Sequence, residues 1–262
     1  MVLSSTPQTD VAGELAMIIA SAVRPWRIVL FGSQARGTAK PHSDYDLYIE
    51  IVQPQRTAKE TATDVDARIR DLLSGSGISL DLKINPPGTI ESRRDDPGTI
   101  EWDVARDGCV LYADPRAPRA IAPQARVKES ETEPPQSVHE WLETAERDLR
   151  HCDDLWATGK EYSPEICWLS HQTCEKHMKA LLVSRWVRPE RTHNLTDLLT
   201  ALRAAGCPLQ DLDEDCKLLT NHAIEPRYPK GLKLGTEDAR TAYAAAQRVL
   251  EAVRADLLPS TH

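Results

Sequence analysis

The chain has 262 residues, 40% of them hydrophobic, and a formal net charge of −8, which is length and apolar content for two ordinary domains. The charge is spread evenly, with 12 basic and 16 acidic side chains over residues 1–112 and 16 and 20 over 138–262, so no basic half stands out as a nucleic-acid footprint. The longest early apolar run, Leu15–Val23, is too short to span a bilayer and follows no basic leader, which argues against a membrane helix and a signal peptide. The six cysteines (Cys109, Cys152, Cys167, Cys174, Cys207, Cys216) form no Cys-x-x-Cys pair. Most fall at apolar positions of helix-like stretches, as buried free thiols do, and a cytoplasmic location is expected.

In chain order, Val11, Leu15, Ile18, Ile19 and Ala22 have helical spacing and stop at Pro25, which predicts a helix over 11–23. A short apolar strand, 28–31, follows and breaks at Gly32-Ser33 in a turn. Residues 45–52 alternate as a strand, 58–73 read as a helix ending at Gly75, and 78–84 alternate again with Leu80, Leu82 and Ile84 on one face and Asp81 and Lys83 on the other. Residues 99–106 predict a short helix and 109–112 a closing strand. Five prolines (Pro115, Pro118, Pro123, Pro134, Pro135) with no sustained apolar period mark 113–137 as a linker. From there the period becomes helical. Val138, Trp141, Leu142, Ala145, Leu149, Cys152, Leu155 and Trp156 form one amphipathic stripe. Helices are then expected from Pro164 to about Val187, over 195–205 to Gly206, over 209–223 and over 237–257.

Chemistry concentrates in Phe31-Gly32-Ser33-Gln34-Ala35-Arg36-Gly37 and in Ser43-Asp44-Tyr45-Asp46-Leu47. A small-residue turn lets backbone N–H groups approach a phosphate. Side chains two apart on a strand point the same way, so Asp44 and Asp46 offer both carboxylates to one place. A phosphate cradle beside paired carboxylates suits Mg2+ and a nucleoside triphosphate. Asp81, on the polar face of a neighbouring strand, would bind a second ion and take the acceptor hydroxyl's proton. Asp-x-Asp or Gly-Ser alone is more often a solvated strand edge or a plain turn. Their order and strand-turn-strand context favour function.

Gly32-Ser33-x-x-x-Gly37, Ser43-Asp44-x-Asp46-Leu47 and the apolar-flanked Asp81 resemble the signature of the DNA polymerase β-like nucleotidyltransferase superfamily, particularly its minimal nucleotidyltransferases. The resemblance covers about residues 1–112. It implies a mixed sheet, triphosphate binding by Gly32 and Ser33, and two Mg2+ ions held by Asp44, Asp46 and Asp81. Arg36 is a further candidate for contact with a phosphate.

In the second half, Trp141–Leu149, His171–Leu182, Arg191–Leu195 and Arg227-Tyr228-Pro229 resemble a HEPN domain, a helical family related to the helical domain of kanamycin nucleotidyltransferase. Members serve as substrate-binding partners of nucleotidyltransferases or as dimeric ribonucleases with an Arg-x(4–6)-His motif. Arg188–His193 meets that spacing but lies between the second and third helices of the domain, and around Asn221–Pro229 the order is His222 then Arg227, the reverse. Plainer roles compete: Glu175 and Lys179 as a surface i, i+4 pair, His177 as a core or interface histidine, His193 as a polar residue at a helix start, and Trp141, Trp156, Trp168 and Trp186 as bundle packing, with one face free to form a substrate or dimer groove.

The expectation is an α+β protein: a nucleotidyltransferase domain (1–112), a Pro-rich linker (113–137) and an all-α HEPN-like bundle (138–262). It would transfer a nucleoside monophosphate, AMP from ATP, to a hydroxyl of a small molecule or protein, with the helical domain helping bind the acceptor. The acidic balance argues against an RNA end. The family resemblance is compatible with a homodimer. The alternatives are a fused toxin and antitoxin, with a HEPN ribonuclease restrained by the transferase, and a non-catalytic nucleotide sensor.

Overall fold

The computed structural model describes residues 7–52, 62–117, 121, 134–158, 162–224 and 233–257. It divides into two compact units, one of Met1–Asp95 and Thr99–Arg126, the other of Asp96–Gly98 and Val127–His262.

The first unit runs α1 (Pro7–Val23), β1 (Arg27–Phe31), α2 (Gly32–Ala35), β2 (Tyr45–Glu50), α3 (Ala62–Leu72), β3 (Leu80–Asn85), α4 (Thr89–Arg93), α5 (Ile100–Asp107) and β4 (Cys109–Ala113). The sheet is mixed, in the order β3-β2-β1-β4. β1 pairs antiparallel with β2 and β4, while β2 and β3 run parallel. A parallel pair needs a crossover, and α3 lies between β2 and β3 in the chain as that crossover.

Strand parity makes the two faces of this sheet chemically different. One face is apolar: Ile28, Leu30, Leu47, Ile49 and Leu80 pack under Leu15 and Ile19 of α1 and Val65 and Ile69 of α3. Each such side chain contributes roughly 1.5–3 kcal/mol by leaving water. The other face starts apolar, with Val29, Phe31 and Tyr48 against Ile90, Val104 and Ile121, and carries charge. Arg27 and Glu50 are cross-strand partners, both fully buried, with Nη2 2.6 Å from Oε2 and Glu91 2.9 Å away. Asp46, Asp81 and Lys83 share this face by the same parity.

The second unit is helical: α6 (Gln136–Ala157), α7 (Ser163–Ser184), α8 (Leu195–Ala204), α9 (Asp213–Ile224) and α10 (Thr236–Leu257). α7 is buried along most of its length and packs against the other four, so its weak amphipathicity fits a central position. Cys174, Met178, Leu181 and Leu182 of α7, Leu198 and Leu202 of α8, Leu219 of α9 and Val249 and Leu250 of α10 form the core. Asn194 caps α8 by accepting from the Thr196 N–H at 2.9 Å. Gly206, at φ +87°, closes α8 with a left-handed residue.

The predicted turn at Gly32-Ser33 is instead one short helical turn, because the left-handed Gly32 swings the chain directly from β1 into α2. The expected helix over 58–73 is seen from Ala62, and residues 58–61 lie outside the described residues. α4 was not foreseen: left-handed Gly88 makes the turn after Pro86-Pro87, and Ile90 is the one buried residue of the short helix. Most of the proline-rich segment and Arg227-Tyr228-Pro229 also fall outside the described residues. Among those that are described, no helix is long and apolar enough to cross a membrane.

Candidate functional site

At the end of β1, Phe31 pairs with Asp46 of β2 in an antiparallel register. The next residue, Gly32, is buried at φ +72°, and a Cβ placed on it would lie 2.9 Å from Asp46 Cγ and closer still to Oδ2. The Asp46 carboxylate therefore rests on the glycine backbone, an approach only a residue without Cβ permits. Ser33 follows, half-buried, with its carbonyl accepting the Thr38 N–H at 3.0 Å. The strand leading to Asp46 is anchored from the same place. Gln34 Nε2 donates to the Ser43 carbonyl at 3.1 Å, and Ser43 Oγ accepts the Lys40 N–H at 2.9 Å. Asp44 stands exposed just before β2, two residues ahead of the half-buried Asp46.

Across the parallel pair Asp46 is in register with Asp81, and Tyr48 with Lys83, so all four lie on one face about 5 Å apart strand to strand. The carboxylates nevertheless diverge. Asp46 leans toward Gly32, while Asp81 Oδ1 turns along its own strand to Lys83 Nζ, 2.9 Å away. Among the described residues no group of three or more His, Cys, Asp or Glu side chains is arranged to hold a metal ion. Asp44 and Asp46 remain a hard-oxygen donor pair of the kind that binds Mg2+ when phosphates and waters complete its shell. Their chemistry fits one such ion, whereas the carboxylate expected to hold a second is engaged by an ammonium. Arg36, exposed, places Nη1 2.8 Å from Asp107 Oδ2. Lys83 and Gln34 belong to this site although no motif marks them. The signal for Lys83 was its period-2 position beside Asp81; Gln34 acts through a loop contact that no periodicity reveals.

In the helical unit, Glu175 and Lys179 do pair, at 2.7 Å, but not on the surface as expected: both are buried. α7 is the central helix, so even its polar stripe is covered. Glu175 also meets His193 Nδ1 at 3.1 Å and Gln172 Nε2 at 3.3 Å, and the Lys179 ammonium lies over the Trp141 ring. Burial pushes the Glu175 carboxyl up, yet the Lys179 and His193 hydrogen bonds overcome it and hold the group below the usual range. His193 projects a mostly exposed imidazole, and Arg188 donates to the Pro97 carbonyl at 2.8 Å.

His177 is fully buried, as expected of a core histidine, with Nδ1 2.9 Å from the Thr173 carbonyl and Nε2 3.1 Å from Glu146 Oε1; Arg254 also pairs with Glu146. Burial lowers its pKa against those contacts. Of the four tryptophans expected to pack the bundle, Trp156 and Trp168 stand partly exposed, and Trp156 stacks flat on Tyr243 with centroids 5.3 Å apart. The thiols are free, and all but Cys109 are buried. Burial raises Cys152 to about 11 and Cys167 and Cys216 to about 12, which leaves them unreactive.

Residues 15–101 match the family described as nucleotidyltransferase domain, and residues 138–256 match the HEPN domain family. No curated protein matches the chain. Among solved structures, it is similar to TT1696 from Thermus thermophilus, 27% identical over 45% of this chain and 97% of that one at a TM-score of 0.41. It is likewise similar to ST0689, described as an archaeal HEPN homologue, 27% identical over 46% of this chain and 98% of that one at a TM-score of 0.38. One chain thus joins a nucleotidyltransferase domain to a HEPN domain.

Proposed function

We propose that the N-terminal unit transfers a nucleoside monophosphate, AMP from ATP, to a hydroxyl of a small molecule or protein with release of pyrophosphate, and that the HEPN unit binds the acceptor. The observation that carries this is the Asp46 carboxylate seated on left-handed Gly32, two residues from Asp44, within residues matched by the nucleotidyltransferase family. Such transfer asks the protein for charge neutralisation and alignment more than covalent chemistry. Asp44 and Asp46 hold Mg2+, which when bound neutralises charge on the phosphates. Gly32, lacking Cβ, lets the backbone approach the triphosphate, and the Ser33 hydroxyl donates to the departing pyrophosphate. Asp81 Oδ2, which accepts no hydrogen bond among the described residues, takes the proton of the incoming hydroxyl. Arg36 supplies a further positive charge once it leaves Asp107.

Incubating the full chain with Mg2+ and α-labelled nucleotides, then finding which molecule carries the label, tests this directly. Asp44→Ala with Asp46→Ala should abolish incorporation; full activity in that double variant sinks the mechanism. Nucleotide binding with no labelled product in any acceptor mixture would make the domain a sensor.

A second function, RNA cleavage by the HEPN unit, is favoured by one observation. Buried Glu175 accepts from His193 Nδ1 and leaves Nε2 of an exposed imidazole facing solvent as a base. Arg188, the other member of the motif, is occupied by the Pro97 carbonyl. Loss of nuclease activity in His193→Ala would support cleavage, and absence of activity in the parent chain removes it.

A further inference from the structure

We propose that Lys83, held by Asp81, takes the place of a second divalent cation: the site binds a single ion at Asp44 and Asp46, and the Lys83 ammonium supplies the other positive charge to the triphosphate. This rests on the nucleotidyl-transfer function proposed above and names how its charge is neutralised.

Lys83 Nζ lies 2.9 Å from Asp81 Oδ1, within direct ion-pair distance. Both side chains are close to half exposed, 42% and 45%, so a ligand reaches the ammonium while the carboxylate fixes where it stands. The register places Lys83 on the face shared by Asp46 and Asp81, one step along the strand from Asp81 in the period-2 sense. Asp46 leans the other way, onto Gly32, so the three carboxylates do not close round a common point. A second cation also sits close by. Arg70 of α3 donates Nη1 to the Leu80 carbonyl at 3.2 Å, and the Asp81 charge helps raise its pKa, behind the larger effects of its Asp66 partner. A divalent ion at Asp81 would have to displace Lys83 and sit beside Arg70. A lysine ammonium is a compact point charge on a flexible stem, suited to phosphate oxygens whose positions change between substrate and product. No proton or electron has to move for this role.

The test uses the full chain, titrated with Mn2+ in place of Mg2+, with the ions bound counted by electron paramagnetic resonance. Each titration is repeated with α,β-methylene-ATP, which cannot transfer its nucleotidyl group. The wild type should bind one Mn2+ per chain with or without the analogue, and Lys83→Met should open a second ion site. Lys83→Met should also weaken the analogue about tenfold, the loss of one charge-assisted phosphate contact, with Lys83→Arg recovering most of it. Circular dichroism checks folding, which the exposure of Lys83 should spare. Two ions in the wild type, with the same count and the same analogue affinity in Lys83→Met, overturn the proposal. Asp44→Asn with Asp46→Asn separates this from the underlying function. If that variant still binds Mn2+ and analogue as the wild type does, the site itself is misassigned and the Lys83 role falls with it. If it loses both while Lys83→Met behaves as the wild type, only the Lys83 role falls.

Discussion

The carboxylate of Asp46 lies against the backbone of Gly32, the residue that follows its cross-strand partner Phe31. The contact joins the strand-to-helix corner to the acidic strand, and it exists because position 32 carries no Cβ and takes a positive φ.

Gly32→Ala therefore meets two obstacles, the left-handed backbone and the Asp46 side chain. We expect a loss of roughly 1–3 kcal/mol in urea unfolding and at least about a hundredfold loss of nucleotide incorporation. Adding Asp46→Ala removes the steric conflict but not the backbone strain. The double variant should regain part of the stability and none of the activity; no regain would show that Asp46 is not what the methyl meets.

Arg36 and Asp107 form an exposed pair, worth no more than about 1 kcal/mol. Arg36→Ala and Asp107→Ala should both leave the melting temperature nearly unchanged. If Arg36 serves a phosphate, only the arginine variant weakens ATP analogue binding, and Asp107→Ala leaves it equal or tighter. Equal weakening in both would confine Arg36 to a structural pair.

Arg27 is buried between Glu50 and Glu91 at the far end of the same strands. Arg27→Met strands a buried carboxylate and should cost about 3–5 kcal/mol, while Arg27→Met with Glu50→Gln should cost clearly less. Burial already pushes the Glu50 carboxyl above its usual range, with Arg27 opposing that shift. Without Arg27 the carboxyl protonates more readily, so the deficit of the single variant should shrink as pH falls from 7 to 5. A deficit independent of pH would place the loss in packing rather than charge.

His177 is held neutral by burial, with its pKa below the ordinary 6.5 despite Glu146 and with Arg254 alongside. The unfolded chain takes up a proton below about pH 6.5 that the folded chain refuses, so stability present above that pH is lost as pH drops. The slope from this group approaches about 1.4 kcal/mol per pH unit below the unfolded pKa. His177→Gln should flatten urea-derived stability between pH 6.5 and the folded pKa relative to the wild type, and an unchanged slope would assign the dependence elsewhere.

The strands, the larger helices and the separate faces of β3 were legible because each rests on local periodicity: alternation over 45–50 and 80–85, and helical stripes over 136–157 and 236–257. Features that depend on what packs against an element were not. Glu175 and Lys179 look like a surface pair by spacing, yet α7 is enclosed by four neighbours, and Trp156 looks like core yet stacks on Tyr243 at the edge. The short helix at Gly32 was hidden because a four-residue element has too few positions to show a period.

Gly32, Ser33, Asp44, Asp46 and Asp81 stand out as candidates by residue type, order and spacing alone, since phosphate approach and metal binding demand small residues and carboxylates whatever the surroundings. The direction each carboxylate faces was decided by tertiary structure. Strand register set Asp46 beside Phe31 and over Gly32, and set Asp81 beside Asp46 while its side chain went to Lys83. Periodicity says which face a side chain is on; only the neighbours brought in by folding say which of several nearby charges it pairs with.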